Sequence, residues 1–498
     1  MADYDLAVVG GGINGAGIAR DAAGRGLRVL LVEQSDLASG TSSASTKLIH
    51  GGLRYLEHGW FGLVRQALAE REVLLRMAPH LIRPMRFVLP QEPGMRPLWL
   101  LRLGLFIYDH LGGRKILPAT RTIDLSRDAL GAPLKGRYRH GFEFSDCQTD
   151  DARLVLLNAM DAAERGAVIR TRTRCVRAER SDIWQLVLEV RGRRDLASAR
   201  ALVNATGPWV GIFNQTILHR SASTKLRLDQ GSHIVVRRLF EHDRGYILQT
   251  VDGRIVFALP FEQNFTLIGT TDQSFSGDPG RVAPAAEEVS YLCSVVNDHF
   301  RTTVTPADVI WSFAGVRALY HNGSRKPQDT PRDYVLVPDK TSGRAPLLTV
   351  YGGKITTYRR LAEDVLDALA PMLGARPAWT KNTRLPGGEI ATDGLEQLIE
   401  QTRTSWPFLT ESHARRLVRS YGTRAGRLLG SAKSLDDLGP LLGSDLTGAE
   451  VRYLMEHEWA QTEDDVLWRR TKLGLLFSRA ERHRLGRFMA DAIGDAAR

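Results

Sequence analysis

Residues 42–57, SSASTKLIHGGLRYLE, set Lys47, His50, Gly51, Gly52, Arg54 and Tyr55 on one short segment. A cation, an imidazole, bare backbone, a guanidinium and a phenol within nine residues suggest a chain that passes several chemical groups in turn. Nearer the N-terminus, Gly10, Gly12 and Gly15 form GxGxxG between the β-branched run DLAVVG and the small-residue stretch INGAGIARDAAG. Gly10 permits the tight turn, Gly12 lets backbone N–H groups approach a pyrophosphate, and Gly15 lets the helix close on its strand. Ile13 and Asn14 open that helix, whose N-terminus would face phosphates. The second strand, LRVLLVE, ends at Glu33, 18 residues after Gly15, followed by Gln34. A carboxylate there accepts hydrogen bonds from a ribose diol and would repel the 2′-phosphate of NADP.

Two later segments share that character. ARALVNATGPWV delivers Ala205, Gly207 and Trp209 from a buried strand. LLTVYGGKITTYRR carries Gly353, Lys354, Ile355 and Thr356 from a strand to a helix start, where N–H groups and a lysine make a positive pocket.

The elements that must position these residues follow from the pattern. A chain of 498 residues implies two or three domains. Residues 60–78 read as an amphipathic helix ended by Pro79, and 225–275 as antiparallel hairpins turning at Asp252-Gly253 and Gln263-Asn264. Beyond about residue 383 helices dominate, with capping pairs Thr447/Glu450 and Thr462/Asp465. The arginines at 170, 172, 174 and 177 suit a solvated hairpin edge. Residues 97–113, PLWLLRLGLFIYDHLGG, suit either a membrane interface or a helix packed on the core. In the first case Trp99 and Tyr108 lie at headgroup level, with Arg96, Arg102, Arg114 and Lys115 on acidic lipid. Lys plus Arg exceeds Asp plus Glu by 67 − 56, or +11, which favours anionic partners. Cys147, Cys175 and Cys293 stand apart, as expected of free thiols in a reducing compartment rather than a metal or dithiol site. The N-terminus lacks the pattern of a secretory signal, and no apolar run is long enough to span a bilayer.

Taken with GGGINGAGIARDAAGRG, the blocks SGTSSASTKLIHGGLRYLE, NATGPW, IGTTDQ, AGVRAL, VYGGKITTYRRLAED and TEDDVLWRRTKLG are similar to the FAD-dependent glycerol-3-phosphate dehydrogenases, within the D-amino-acid-oxidase-related flavoproteins. The resemblance covers nearly the whole chain, and KLIHGGLRYLE is its most restrictive block. It implies an α/β fold. A glutathione-reductase-like Rossmann FAD domain (1–79, 142–215 and 312–380) would carry an inserted antiparallel-sheet substrate domain (80–141 and 216–311). A C-terminal α-helical domain (385–498) would follow. It also implies noncovalent FAD, oxidation of sn-glycerol 3-phosphate to dihydroxyacetone phosphate by hydride transfer from C2 to flavin N5, and ubiquinone or menaquinone as acceptor. The location implied is cytoplasmic, peripheral on an anionic inner membrane face; a homodimer through the C-terminal domain follows from family habit alone.

On that resemblance, Ser42, Ser43 and Thr46 would wrap the pyrophosphate and flavin linker, and Lys47, Leu48, His50 and Gly51 would run beside the isoalloxazine, with Gly315 also at the cofactor. His50 either orients the ring or packs there. His233 would take the hydroxyl proton, although thirteen histidines are available and a structural hydrogen bond suits it equally. Arg317 would stabilise the alkoxide, and Lys354 would stabilise negative charge on the reduced flavin. Arg54 and Arg332 would fork the phosphate, with Arg317, Tyr55, Thr270 and Lys354 completing the substrate site. Ala44 departs from the family, where a basic residue often stands.

Three alternatives stay open. An oxidase of the same substrate using oxygen shares these motifs, although the inserted segment often carried by such oxidases is not evident. An amine or amino-acid oxidase of this flavin fold would want a carboxylate clamp instead. A nucleic-acid-binding flavoprotein is motivated only by the charge, without aromatic-basic interleaving.

Overall fold

The computed structural model describes residues 2–91, 97–113, 116–220, 226–320 and 333–496. The first strand, Tyr4–Val9, is the centre of an eight-stranded sheet. Its apolar, β-branched residues are buried, as a strand covered on both faces requires. Parallel neighbours Val29–Val32 and Arg193–Asn204 flank it, with Leu347–Tyr351 and Val168–Arg170 outside them. The hairpin Arg174–Arg180/Trp184–Val190 pairs onto Arg193–Asn204, and Arg177 and Glu179 on it stand in solvent.

Helix α1, Ile13–Gly24, is made of small residues because it is sandwiched. A Cβ on Gly15 would lie 1.8 Å from the Gly10 carbonyl oxygen, and one on Gly17 would meet the Tyr358 ring at 2.7 Å. Helix α2, Phe61–Met77, and helix α3, Leu98–Leu111, cover the second sheet. Helix α4, Asp151–Glu164, packs on α1.

The second sheet has ten strands. Leu226–Arg237 pairs antiparallel with both Phe265–Gly269 and Trp311–Tyr320, and His140–Gln148 pairs with Arg83–Pro90 and with the short strand Leu48–Ile49. The expected domain boundaries at 141/142 and 311/312 therefore fall inside strands of one sheet. Leu48–Ile49 also brings the segment beside the glycine loop into this sheet, so the two sheets share a seam rather than a linker.

Residues from Leu395 onward are mainly helical, with one small hairpin, Leu441–Gly443/Leu446–Thr447. Thr447 caps the helix Gly448–His457 by accepting from Glu450 N–H. The Glu450 carboxylate does not return to the cap; it takes Arg416 and Tyr421 instead. Asp465 and Thr462 do exchange hydrogen bonds, at the start of a single π-helical turn, Asp465–Arg470. The three cysteines are free and buried.

Helix α3 buries Leu105 and Tyr108 while Trp99, Leu103 and Phe106 are 66%, 48% and 60% exposed. Tyr108 thus points inward rather than toward a headgroup layer. Among the described residues no helix is long and apolar enough to cross a membrane. Arg96, Arg114, Lys115 and Arg332 lie outside the described residues.

Candidate active site

The glycine turn is built by backbone geometry. Gly10 adopts φ 113°, and a Cβ there would strike the Ala205 carbonyl at 2.4 Å, so the ends of two parallel strands meet at this glycine. Gly11 N–H donates to Glu33 Oε2 at 2.7 Å and Ser35 N–H to Oε1 at 2.8 Å. Burial raises the Glu33 pKa, and these N–H groups pull it back. Each carboxylate oxygen keeps a further lone pair for a ribose hydroxyl. Gln34 is exposed beside it. Gly12 begins α1 without a side-chain cap; in its place Ile13 N–H donates to Ser42 Oγ at 2.9 Å. Asn14 Nδ2 donates to the Gly352 carbonyl at 3.0 Å, while its buried Oδ1 has no partner among the described residues. Gly352 and Gly353 take φ 72° and 104°, which swing the chain from Leu347–Tyr351 past Asn14. Trp209 closes the rim: a Cβ on Gly40 would lie 3.3 Å from its ring.

The segment from Thr41 to Tyr55 then runs along both sheets. Thr41 Oγ1 donates to the Val316 carbonyl at 2.6 Å, and a Cβ on Gly315 would meet Ala44 at 2.9 Å. Ser43 Oγ bonds back to Gly40, so it shapes the turn. Thr46 Oγ1 lies 2.9 Å from His233 Nε2. Lys47 is buried, with its ammonium 2.8 and 2.9 Å from the Asp151 oxygens and 2.9 Å from the Ser43 carbonyl. Leu48 is buried in the seam. His50 and Thr356 join through His50 N–H to Oγ1 at 3.2 Å. Gly51 N–H donates to Tyr108 Oη at 2.8 Å; Tyr108 in turn donates to Asp146, which Arg71 holds. Burial and the Asp146 charge hold the Tyr108 phenol protonated, far above its ordinary range. Arg71, Tyr108 and Asp146 were not legible as site residues: they are distant in sequence and follow no motif.

Beyond Gly52 the chain turns toward the ten-stranded sheet. Lys354 Nζ sits 4.0 Å over the Tyr55 ring, a cation–π contact. Arg54 lines a cleft of about 320 Å³ with Glu57, Gln249, Thr250, Gly253, Arg254 and Ile255. Arg317 Nη1 donates to Asp272 at 2.9 Å and Nη2 to Thr270 Oγ1 at 3.4 Å. Asp272 was missed by sequence reasoning, although it stands inside the IGTTDQ block. His233 is 1% exposed and stacks on Phe313 at 4.9 Å. Burial, then the Lys47 and Arg317 charges, hold its pKa well below the ordinary histidine range. The imidazole is therefore neutral, and its buried Nδ1 has no partner among the described residues. His50 is likewise held neutral by burial.

These residues fit a flavin dinucleotide. The helix N-terminus and Ser42 would hold the phosphates and Glu33 the ribose, and Asn14 Oδ1, buried beside Gly353, is left without a partner among the described residues. The site defines a dinucleotide-dependent oxidoreductase whose substrate side is cationic. The family model "FAD dependent oxidoreductase" matches residues 5–359, and "C-terminal domain of alpha-glycerophosphate oxidase" matches 378–494. A glycerol-3-phosphate dehydrogenase of Pseudomonas aeruginosa is 54% identical over 98% of this chain and 95% of its own. The aerobic glycerol-3-phosphate dehydrogenase of Escherichia coli is 48% identical over 99% of this chain and 98% of its own. A D-erythritol 1-phosphate dehydrogenase of Brucella abortus is 50% identical over 96% of each chain. The solved glycerol-3-phosphate dehydrogenase of Bacillus halodurans, complexed with FAD, superposes with a TM-score of 0.78 at 28% identity, covering 99% of this chain and 91% of that one. The chain belongs to the FAD-dependent glycerol-3-phosphate dehydrogenases, within the FAD-dependent oxidoreductase family.

Proposed function

We propose that this enzyme oxidises sn-glycerol 3-phosphate at C2 to dihydroxyacetone phosphate and passes the electrons to a membrane quinone. One observation carries the reading. The continuous segment Thr41–Tyr55 meets the cofactor cradle through Ser42 at one end and a lysine over Tyr55 at the other. A small phosphorylated alcohol held there lies between cofactor and cations. When bound, FAD supplies the acceptor for the hydride leaving C2.

The chain's own residues do the rest. Arg54 binds the phosphate, together with Arg332; Tyr55 and Thr270 add neutral hydrogen bonds. Arg317, aimed by Asp272, stabilises the developing alkoxide. His233 takes the hydroxyl proton: its imidazole is neutral, and Thr46 fixes the ring through Nε2. Lys354 supplies positive charge where the cradle's negative charge develops.

The exposed Trp99, Leu103 and Phe106 on α3 support peripheral docking on a bilayer, where a quinone would be met. Flotation with anionic vesicles tests this. Recovery of the protein in the floated fraction supports it, and a protein left at the bottom at low salt removes it. The acceptor is tested by aerobic turnover without added quinone. The proposal requires little hydrogen peroxide there and fast turnover with a quinone; stoichiometric peroxide would make the enzyme an oxidase. The similarity to a D-erythritol 1-phosphate dehydrogenase supports a second reading, a four-carbon polyol phosphate as substrate. A higher kcat/KM for D-erythritol 1-phosphate than for sn-glycerol 3-phosphate would select it.

A further inference from the structure

We propose that the C-terminal domain is a clamp on the cofactor cradle, with Arg470 and Lys472 as positioning residues for FAD acting through two ionic latches. The inference rests on the flavoprotein reading.

The first latch grips the turn that follows Glu33. Asp36 is 2% exposed, and Ala38, two residues on, donates its N–H to the Gly11 carbonyl at 3.1 Å, so this turn rests on the glycine loop itself. Asp36 receives Arg469 Nε at 2.5 Å and Arg470 Nη2 at 2.9 Å, both from the C-terminal domain. Asp465, in the same π-helical turn, receives Arg172 Nη2 at 2.6 Å. Arg172 N–H donates to Ser35 and Thr173 N–H to Glu33, so the far side of the same turn is held too. Turns of this wide type recur where a helix is shaped for a function.

The second latch grips residues 43–47, part of the segment that would run beside the flavin. Lys472 Nζ lies 2.9 and 3.0 Å from the Asp150 carboxylate, and Lys47 Nζ lies 2.8 and 2.9 Å from that of Asp151. The two adjacent carboxylates open α4, so one helix start links the C-terminal domain to Lys47. Around the Lys47 ammonium residues 43–47 fold: it holds the Ser43 carbonyl, and Asp151 also accepts from Ser45 N–H and Oγ. Lys47 and Lys472 adopt φ 61° and 60°, left-handed conformations that favour glycine. A lysine at each position is explained by its ammonium. Backbone outliers of this kind mark sites the surrounding structure over-determines.

Removing a latch leaves cradle residues intact but loosens their frame. Asp150 retains some solvent access, with a side chain 20% exposed, so loss of the Lys472 charge leaves no fully buried carboxylate and permits folding. Arg424 offers a control: it pairs with Glu164 across the same interface, at 2.5 and 2.7 Å, at the other end of α4.

The test is serial dilution of the full-length holoenzyme, with released FAD read by its fluorescence and folding by far-UV circular dichroism. Lys472→Met and Arg470→Lys raise the FAD dissociation constant by about tenfold or more. Lys472→Arg restores it to within about twofold, and Arg424→Gln leaves it unchanged. Folded Lys472→Met and Arg470→Lys proteins that hold FAD as tightly as the parent overturn the clamp. So does an Arg424→Gln variant that loses FAD equally, because any loosening of the interface would then suffice. A parent protein purified without flavin would instead defeat the flavoprotein reading, a separate outcome.

Discussion

The cradle and the substrate side are built from opposite materials. The cradle is backbone: positive-φ glycines, N–H groups and the start of α1, tied by short hydrogen bonds to Glu33 and Ser42. The substrate side is long side chains from separate segments, His233 and Arg317 on strands and Arg54 and Lys354 on turns, oriented by Thr46, Asp272 and Tyr55. A backbone site tolerates no added carbon at Gly10 or Gly15, whereas a side-chain site can lose one member and still bind its cofactor. The difference teaches where each function should fail.

The largest effect belongs to the cradle. Gly15→Val places a side chain against the Gly10 carbonyl, 1.8 Å from its first carbon, and backbone cannot yield as a side chain does. The purified protein should carry essentially no flavin by visible absorbance per chain; full flavin content would break the contrast between the two regions.

His233→Asn should lower kcat by about 10²–10⁴-fold while FAD remains bound, the loss typical of a general base. The same residue sharpens the pH profile. Since its pKa is depressed, the base form persists below pH about 6.5, and the acid limb of kcat/KM should lie lower still. An acid limb at or above that value in the parent would assign it to another group.

Arg54→Ala should raise KM for the phosphorylated substrate by about 10–100-fold with flavin content unchanged, as loss of a charge-assisted hydrogen bond implies. Loss of FAD in this variant would place Arg54 in the cradle and blur the comparison.

The smallest effect is on stability. Burial pushes the His80 pKa down to about 3, and neither ring nitrogen has a partner among the described residues. Between pH about 6.5 and about 3 the unfolded chain therefore binds the proton that the folded chain refuses, so this contribution to stability falls as pH falls. Urea midpoints measured across that window should decline with acid, and less steeply in His80→Leu.

The same contrast explains what could be seen in the residues. Gly10 to Glu33 was legible because strand, turn, helix and acid are contiguous, and local sterics dictate the turn. The helical character of residues 60–78 and the hairpins of 225–275 followed from periodicity. The seam at Leu48–Ile49 was not legible, because two residues carry no period; nor was the pairing of Trp311–Tyr320 with Leu226–Arg237, a contact between distant segments. Asp36, Asp146, Asp151 and Asp272 each look like surface acids in the string. Their roles come from arginines and lysines brought to them by tertiary folding, which no local pattern encodes.

The most direct measurement is the visible spectrum of the purified protein before and after anaerobic addition of sn-glycerol 3-phosphate. The account predicts flavin bands that bleach on addition of this substrate alone. Flavin bands that persist, in a protein shown to be folded, would contradict it.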